Sequence, residues 1–168
     1  MSSDLPPSVD VARMVQSRRS FTGSLPLMRF TRLAGSLAGS EGEVTYQLDF
    51  DRDSFGTSML HLKATTQLPL LCQRTLEVFL EPVVLDQQLG LISDESEEAA
   101  LLPEYEALLV GADGHLDLVD VIEDELILAL PLVPTRPGAP LEHIEMADDE
   151  MQPLQDNPFA ALASLKKH

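Results

Sequence analysis

The chain has 168 residues, 44% of them hydrophobic, a single cysteine and a formal net charge of −17. That length suffices for one domain burying roughly 70% of its unfolded surface, and one cysteine excludes an intramolecular disulfide framework. The unbroken apolar stretch Leu126–Leu130 is five residues, far short of the ~20 that cross a bilayer. With no basic-then-apolar signal pattern in "MSSDLPPSVD", a soluble cytoplasmic protein is expected.

Charge is unevenly placed. Residues 1–74 hold 8 Lys/Arg and 7 Asp/Glu, whereas residues 75–168 hold 3 and 21. Between positions 11 and 40 stand Arg13, Arg18, Arg19, Arg29 and Arg32 with no acid among them. Overall charge repels nucleic acid, but a local basic patch can still attract it, because fields are largely screened beyond about 8–10 Å at physiological salt.

In chain order, "PPSVDVARMVQSRR" offers prolines, Ser8 as an N-cap and Val11, Ala12 and Val15 at helical spacing, which predicts a helix over about Val9–Arg18. "SFTGSLP" is expected to be extended, broken by Gly23 and Pro26. In "LPLMRFTRLAGSLAG" the spacing of Leu27, Phe30, Leu33 and Leu37 predicts a short amphipathic helix ending in glycine. Then the period changes. "VTYQLDF" alternates Val44, Tyr46, Leu48 and Phe50 with polar residues, as a half-buried strand does. The strand-like runs from Gly56 to Leu85 extend this into an antiparallel meander of three or four strands, open or partly closed into a barrel. "SDESEEAALLPEYEALLVGADG" reads as a solvated acidic loop or short helix, a strand near Tyr105–Val110, and a turn.

A core helix is expected near 117–130. Leu118, Val119, Ile122, Leu126, Ala129 and Leu130 share one broad arc at 100° per residue, with Asp117, Asp120, Glu123 and Asp124 opposite. Asp117 can cap it, and Pro131 stops it. The acidic arc is either a solvated surface or a face offered to a partner. Residues 135–156 mix prolines, glycines and acids without a period and read as a disordered acidic linker. "NPFAALASLKK" follows, with Asn157 as N-cap and Phe159, Leu162 and Leu165 on one face of a short tail helix. That helix either folds back or docks on a partner. The resulting organisation is an α+β domain over 1–134, a linker over 135–156 and a tail over 157–168.

Catalytic motifs are missing. Neither GxxxxGK[ST], GxGxxG nor GxSxG occurs, and His61, His115, His143 and His168 are scattered without metal-ligand spacing. No enzymatic activity and no cofactor is expected.

Three stretches resemble the bacterial YceD family of large ribosomal RNA subunit accumulation proteins. They are "LDLVDVIEDELILALPLVP" at 116–134, "NPFAALASLKK" at 157–167 and "LLCQRTLEVF" at 70–79, with "SFTG" at 20–23 in a compatible position. The resemblance implies a non-enzymatic role in synthesis, processing or stability of large-subunit (23S) ribosomal RNA. Many members carry CxxC at the third stretch, where this chain has Cys72-Gln73-Arg74-Thr75. Threonine supplies no second thiolate, so no structural zinc is expected there. Two mechanisms fit. One is an assembly factor touching pre-ribosomal RNA through Arg13, Arg18, Arg19, Arg29, Arg32 and Arg74. The other is an acidic, chaperone-like module holding a basic ribosomal protein through Asp117, Asp120, Glu123, Asp124, Phe159, Leu162 and Leu165.

Overall fold

The computed structural model describes residues 5–138. The tail, and the linker beyond Thr135–Gly138, lie outside the described residues.

The fold is α+β: one five-stranded sheet with its inner face covered by short helical elements. Strand β1 (Val9–Asp10) leads into helix α1 (Val11–Gln16), then come β2 (Ser20–Pro26), β3 (Glu43–Arg52), β4 (Ser58–Leu71), β5 (Val78–Ile92), β6 (Glu106–Leu109), β7 (His115–Leu116) and α2 (Leu118–Leu128). The sheet order is β2-β3-β4-β5-β6, antiparallel except for β5–β6. Among the described residues the sheet stays open, with β2 and β6 at its edges and no closed barrel. Alternation decides the faces. Val44, Tyr46, Leu48 and Phe50 of β3 point inward, as do Leu60, Leu62, Ala64, Leu68 and Leu70 of β4, all buried.

Two expectations change. The first helix is shorter than Val9–Arg18, because Asp10 rather than Ser8 caps it, accepting the Arg13 N–H at 3.0 Å. Val9 and Asp10 pair instead with β7, and the Val11 N–H reaches the Gly114 carbonyl at 3.0 Å. The second helix becomes two 3-10 turns, Leu27–Arg29 and Leu33–Ser36. Leu27, Phe30 and Leu33 are buried as their spacing requires, but the backbone N–H groups of Arg32 and Leu33 go to a side chain of α2 rather than to the preceding turn. The expected antiparallel meander forms with four strands: the region 56–85 supplies two long ones, joined through a turn at Cys72–Glu77, beside β2 and β3.

Parallel edge strand β6 returns beside β5 after an acidic 3-10 turn, Glu95–Ala100. Gly90 of β5 makes room for that return. A Cβ there would meet the Leu101 methyl carbons at 2.8 and 2.9 Å, so a larger residue would make the Leu101 side chain swing away.

Candidate partner-binding face

Asp117 caps α2 as its position predicts, accepting the Val119 and Asp120 N–H groups at 2.9 and 3.2 Å. Leu118, Val121, Ile122 and Leu126 bury against the sheet. Asp120 and Asp124 are exposed, but Glu123, placed by helical spacing on the same solvated arc, is only 3% exposed. The reason is the 3-10 segment above it. Glu123 Oε1 accepts the Arg32 and Leu33 N–H groups at 2.6 and 3.0 Å, and Oε2 accepts Arg32 Nε at 3.0 Å. Buried carboxylates persist when they are paired and hydrogen-bonded in this way.

Arg32 then spreads over the rest of the face. Its Nη1 donates to Asp124 Oδ1 at 2.5 Å and its Nη2 to the Asp120 carbonyl at 3.3 Å, with Asp120 Oδ1 3.7 Å away. Hydrogen bonds to Asp124 first, and Glu123 next, raise the guanidinium pKa above its ordinary value. One member of the arginine set and three of the acidic set thus form a single cluster. The 91-residue separation hides this contact from any local reading of the sequence.

The remaining arginines are not gathered. Arg18 pairs with Asp51 at 3.0 Å, and Arg19 lies 5.9 Å from the Phe21 ring centroid, both beside α1. Arg29 stands at the other end of β2, a strand whose seven residues span roughly 23 Å at 3.3 Å each. Arg74 sits in the β4–β5 turn and Arg13 on α1; all five are exposed. Among the described residues Arg13 and Arg29 have no carboxylate partner.

A second glutamate of α2, Glu125, is mostly buried but has no ion-pair partner among the described residues. Glu125 is 7% exposed; its carbonyl accepts the Ala129 N–H at 3.0 Å, while its carboxylate has no donor among the described residues and keeps contact with water. Burial first, then the neighbouring charges of Glu106 and Asp124, push its pKa up. The signal available for Glu125 was its place at 100° per residue beside Leu118 and Ile122 on the buried arc, where an acid is not simply solvated.

At the far end of α2 the chain is pinned to the sheet. The Pro134 carbonyl accepts the Gln73 N–H at 2.9 Å, and the Arg136 N–H donates to Cys72 Sγ at 3.4 Å. The Arg136 N–H first, then the Thr75 hydroxyl and N–H, hold the buried Cys72 thiol down to about 6. Thr75 stands where the resemblance implies a second cysteine, and it supplies no thiolate. Among the described residues no group of three or more His, Cys, Asp or Glu is placed to hold a metal, and no helix is long and apolar enough to cross a membrane. The tail residues Phe159, Leu162 and Leu165 lie outside the described residues.

Comparison with known proteins adds the last observation. The family model described as "Large ribosomal RNA subunit accumulation protein YceD" matches residues 60–166. A protein of Haemophilus influenzae bearing that same name is 31% identical over 172 residues, covering 97% of this chain and 97% of the relative. No solved structure matches.

Proposed function

The chain belongs to the YceD family, and from that premise we propose that it is a non-enzymatic factor supporting accumulation of 23S ribosomal RNA by holding a basic large-subunit ribosomal protein during assembly. The observation that carries this reading is the α2 face. There Asp120 and Asp124 keep side chains 65% and 53% exposed and share one arginine, on the part of the chain with a net charge of −18. Carboxylates displayed on a rigid helix steer a basic protein into encounter and repel phosphate. Asp117 extends the face, and Arg32 and Glu123 fix its geometry. In this reading the tail residues Phe159, Leu162 and Leu165 add apolar contacts to the same partner.

A second reading has direct RNA contact through Arg13, Arg18, Arg19, Arg29 and Arg74, with Arg32 at its margin. It is favoured by the exposure of Arg13 and Arg29 without carboxylate partners among the described residues. The separation of these arginines toward two ends of the sheet suits scattered phosphate contacts rather than a groove.

The deciding experiment captures partners of the tagged full-length protein with and without nuclease. A basic large-subunit protein should remain after nuclease treatment, and Asp120→Asn with Asp124→Asn should reduce its capture at low salt. Loss of every ribosomal component on nuclease treatment would replace this reading with the RNA one.

A further inference from the structure

The outer face of the sheet turns apolar toward the β4–β5 turn. Alternation along β5 points Val78, Leu80 and Val84 outward, 59%, 58% and 76% exposed, with exposed Pro82 between the last two. The register sets Leu71, 46% exposed, directly opposite Val78. Leu76, in the turn itself, is 72% exposed and held at a φ of 57°, a backbone conformation that leucine rarely adopts. Single exposed apolar side chains are ordinary, but a continuous row of them marks a surface that another apolar group covers.

The chain leaves the described fold at this same place. The Gln73 N–H donates to the Pro134 carbonyl at 2.9 Å, and Arg136 Nη1 donates to Glu77 Oε2 at 3.2 Å. Residues 134–136 are thereby fixed beside the turn that carries Leu76. Residues 139–156, 18 in all, then lead to Asn157. A flexible chain of that length spans roughly 21–25 Å. The row from Val78 to Val84 covers about 20 Å at 3.3 Å per residue. A tether matched to its span gives an effective concentration in the millimolar range.

We propose that residues 157–168 of this same chain seat on that face, laying Phe159, Leu162 and Leu165 over Leu71, Val78, Leu80 and Val84. Spacings of three put the tail's apolar residues on one side of a helix. So short a helix holds little structure alone in water, and the sheet supplies the surface on which it forms. Charge selects the same occupant. Residues 75–92 carry Glu77, Glu81 and Asp86 and no lysine or arginine, whereas Lys166 and Lys167 stand late in the tail. A second copy would set two chains of net charge −17 against each other. A basic ribosomal protein meets its carboxylates on α2, across the sheet from this row. In the proposed function the tail contacts that partner, so capture draws it off the seat; the seat itself does not depend on that function.

The test follows hydrogen exchange at the amides of residues 159–165 in the full-length protein without a partner. Those amides should exchange about tenfold more slowly than in a Leu80→Ser, Val84→Ser variant, which frees the tethered tail. Both positions are exposed, and an unchanged Tm shows that the fold is kept. Phe159→Asp with Leu162→Asp frees the tail from its own side, beyond the described fold. That variant should open the Leu80 and Val84 methyl groups to a soluble gadolinium chelate, and a synthetic peptide of residues 157–168 should cover them again. Tail amides that exchange equally fast in wild type and variants, or methyl groups equally open in both, overturn the proposal. Slowed exchange that survives the Leu80 and Val84 changes places the tail elsewhere and overturns it too. Protection that grows with protein concentration assigns the face to a second copy, and methyl groups covered only on adding a ribosomal protein assign it to that partner. Seating in a protein that captures no ribosomal protein leaves this inference standing without the proposed function.

Discussion

Glu123 and Glu125 stand two positions apart on α2, and both are buried, yet their circumstances are opposite. Glu123 accepts two backbone N–H groups and an arginine, whereas Glu125 faces only other acids among the described residues. Removing each should therefore act in opposite directions. Glu123→Ala leaves the Arg32 and Leu33 N–H groups without an acceptor and should cost about 2–4 kcal/mol in a denaturant melt. Glu125→Gln removes an uncompensated charge and should stabilise at pH 7. Its sign with pH follows from the raised pKa. Between the ordinary glutamate value of about 4.3 and the raised folded value, the folded state binds the extra proton, so wild-type stability falls as pH rises through that window. The advantage of Glu125→Gln should thus appear above the window and vanish below about pH 4. Urea midpoints at several pH values check this, and an advantage independent of pH would assign the effect elsewhere.

At the scale of elements, α2 is held by two kinds of contact that mutation separates. Leu126→Ala removes a fully buried side chain and should cost about 2–5 kcal/mol through the cavity left behind. Asp120→Asn should leave thermal stability nearly unchanged, since its 65% exposed side chain lies 3.7 Å from Arg32 and surface pairs contribute little. The elements legible in the sequence were those whose burial has a period of its own. β3 alternates cleanly over Glu43–Arg52, and α2 runs Leu118–Leu128 behind its Asp117 cap. What escaped was decided from far away. The apolar spacing of Leu27, Phe30 and Leu33 is equally compatible with a helix and with 3-10 turns. Only a carboxylate from position 123 selects the turns, by taking their N–H groups. The site was half legible for the same reason. Asp120 and Asp124 are exposed as the helical wheel requires, but the wheel put Glu123 beside them because it contains no Arg32. Glu125 falls on a buried arc where an acid is unexpected, and nothing local announces the strand edge next to it.

For the whole molecule, charge rather than shape divides the two functional readings. The net of −18 over residues 75–168 opposes RNA approach, and the exposed arginines sit toward both ends of β2. Changing Arg18 and Arg19 to Ala should leave the fold intact, because both are exposed beyond the end of α1. If they contact phosphate, the double variant should lower the salt slope of RNA binding by roughly 1.4–1.8. An unchanged slope would leave these arginines as solvated surface and strengthen the protein-partner reading.

The bond between Glu123 and the Leu33 N–H also sets an order of events in time. The segment from Leu27 to Ser36 is made early in synthesis, but its acceptor arrives only when residue 123 has been added, 90 residues later. Closing so long a loop carries an entropy cost that only the assembled sheet and α2 together can offset. The N-terminal segment therefore has no finished structure on a nascent chain that stops short of α2. The same dependence predicts that in the mature protein the Leu33 amide exchanges its hydrogen only through global unfolding. Its exchange free energy should equal that of the slowest β4 amides, and a lower value would mean that the early segment opens on its own.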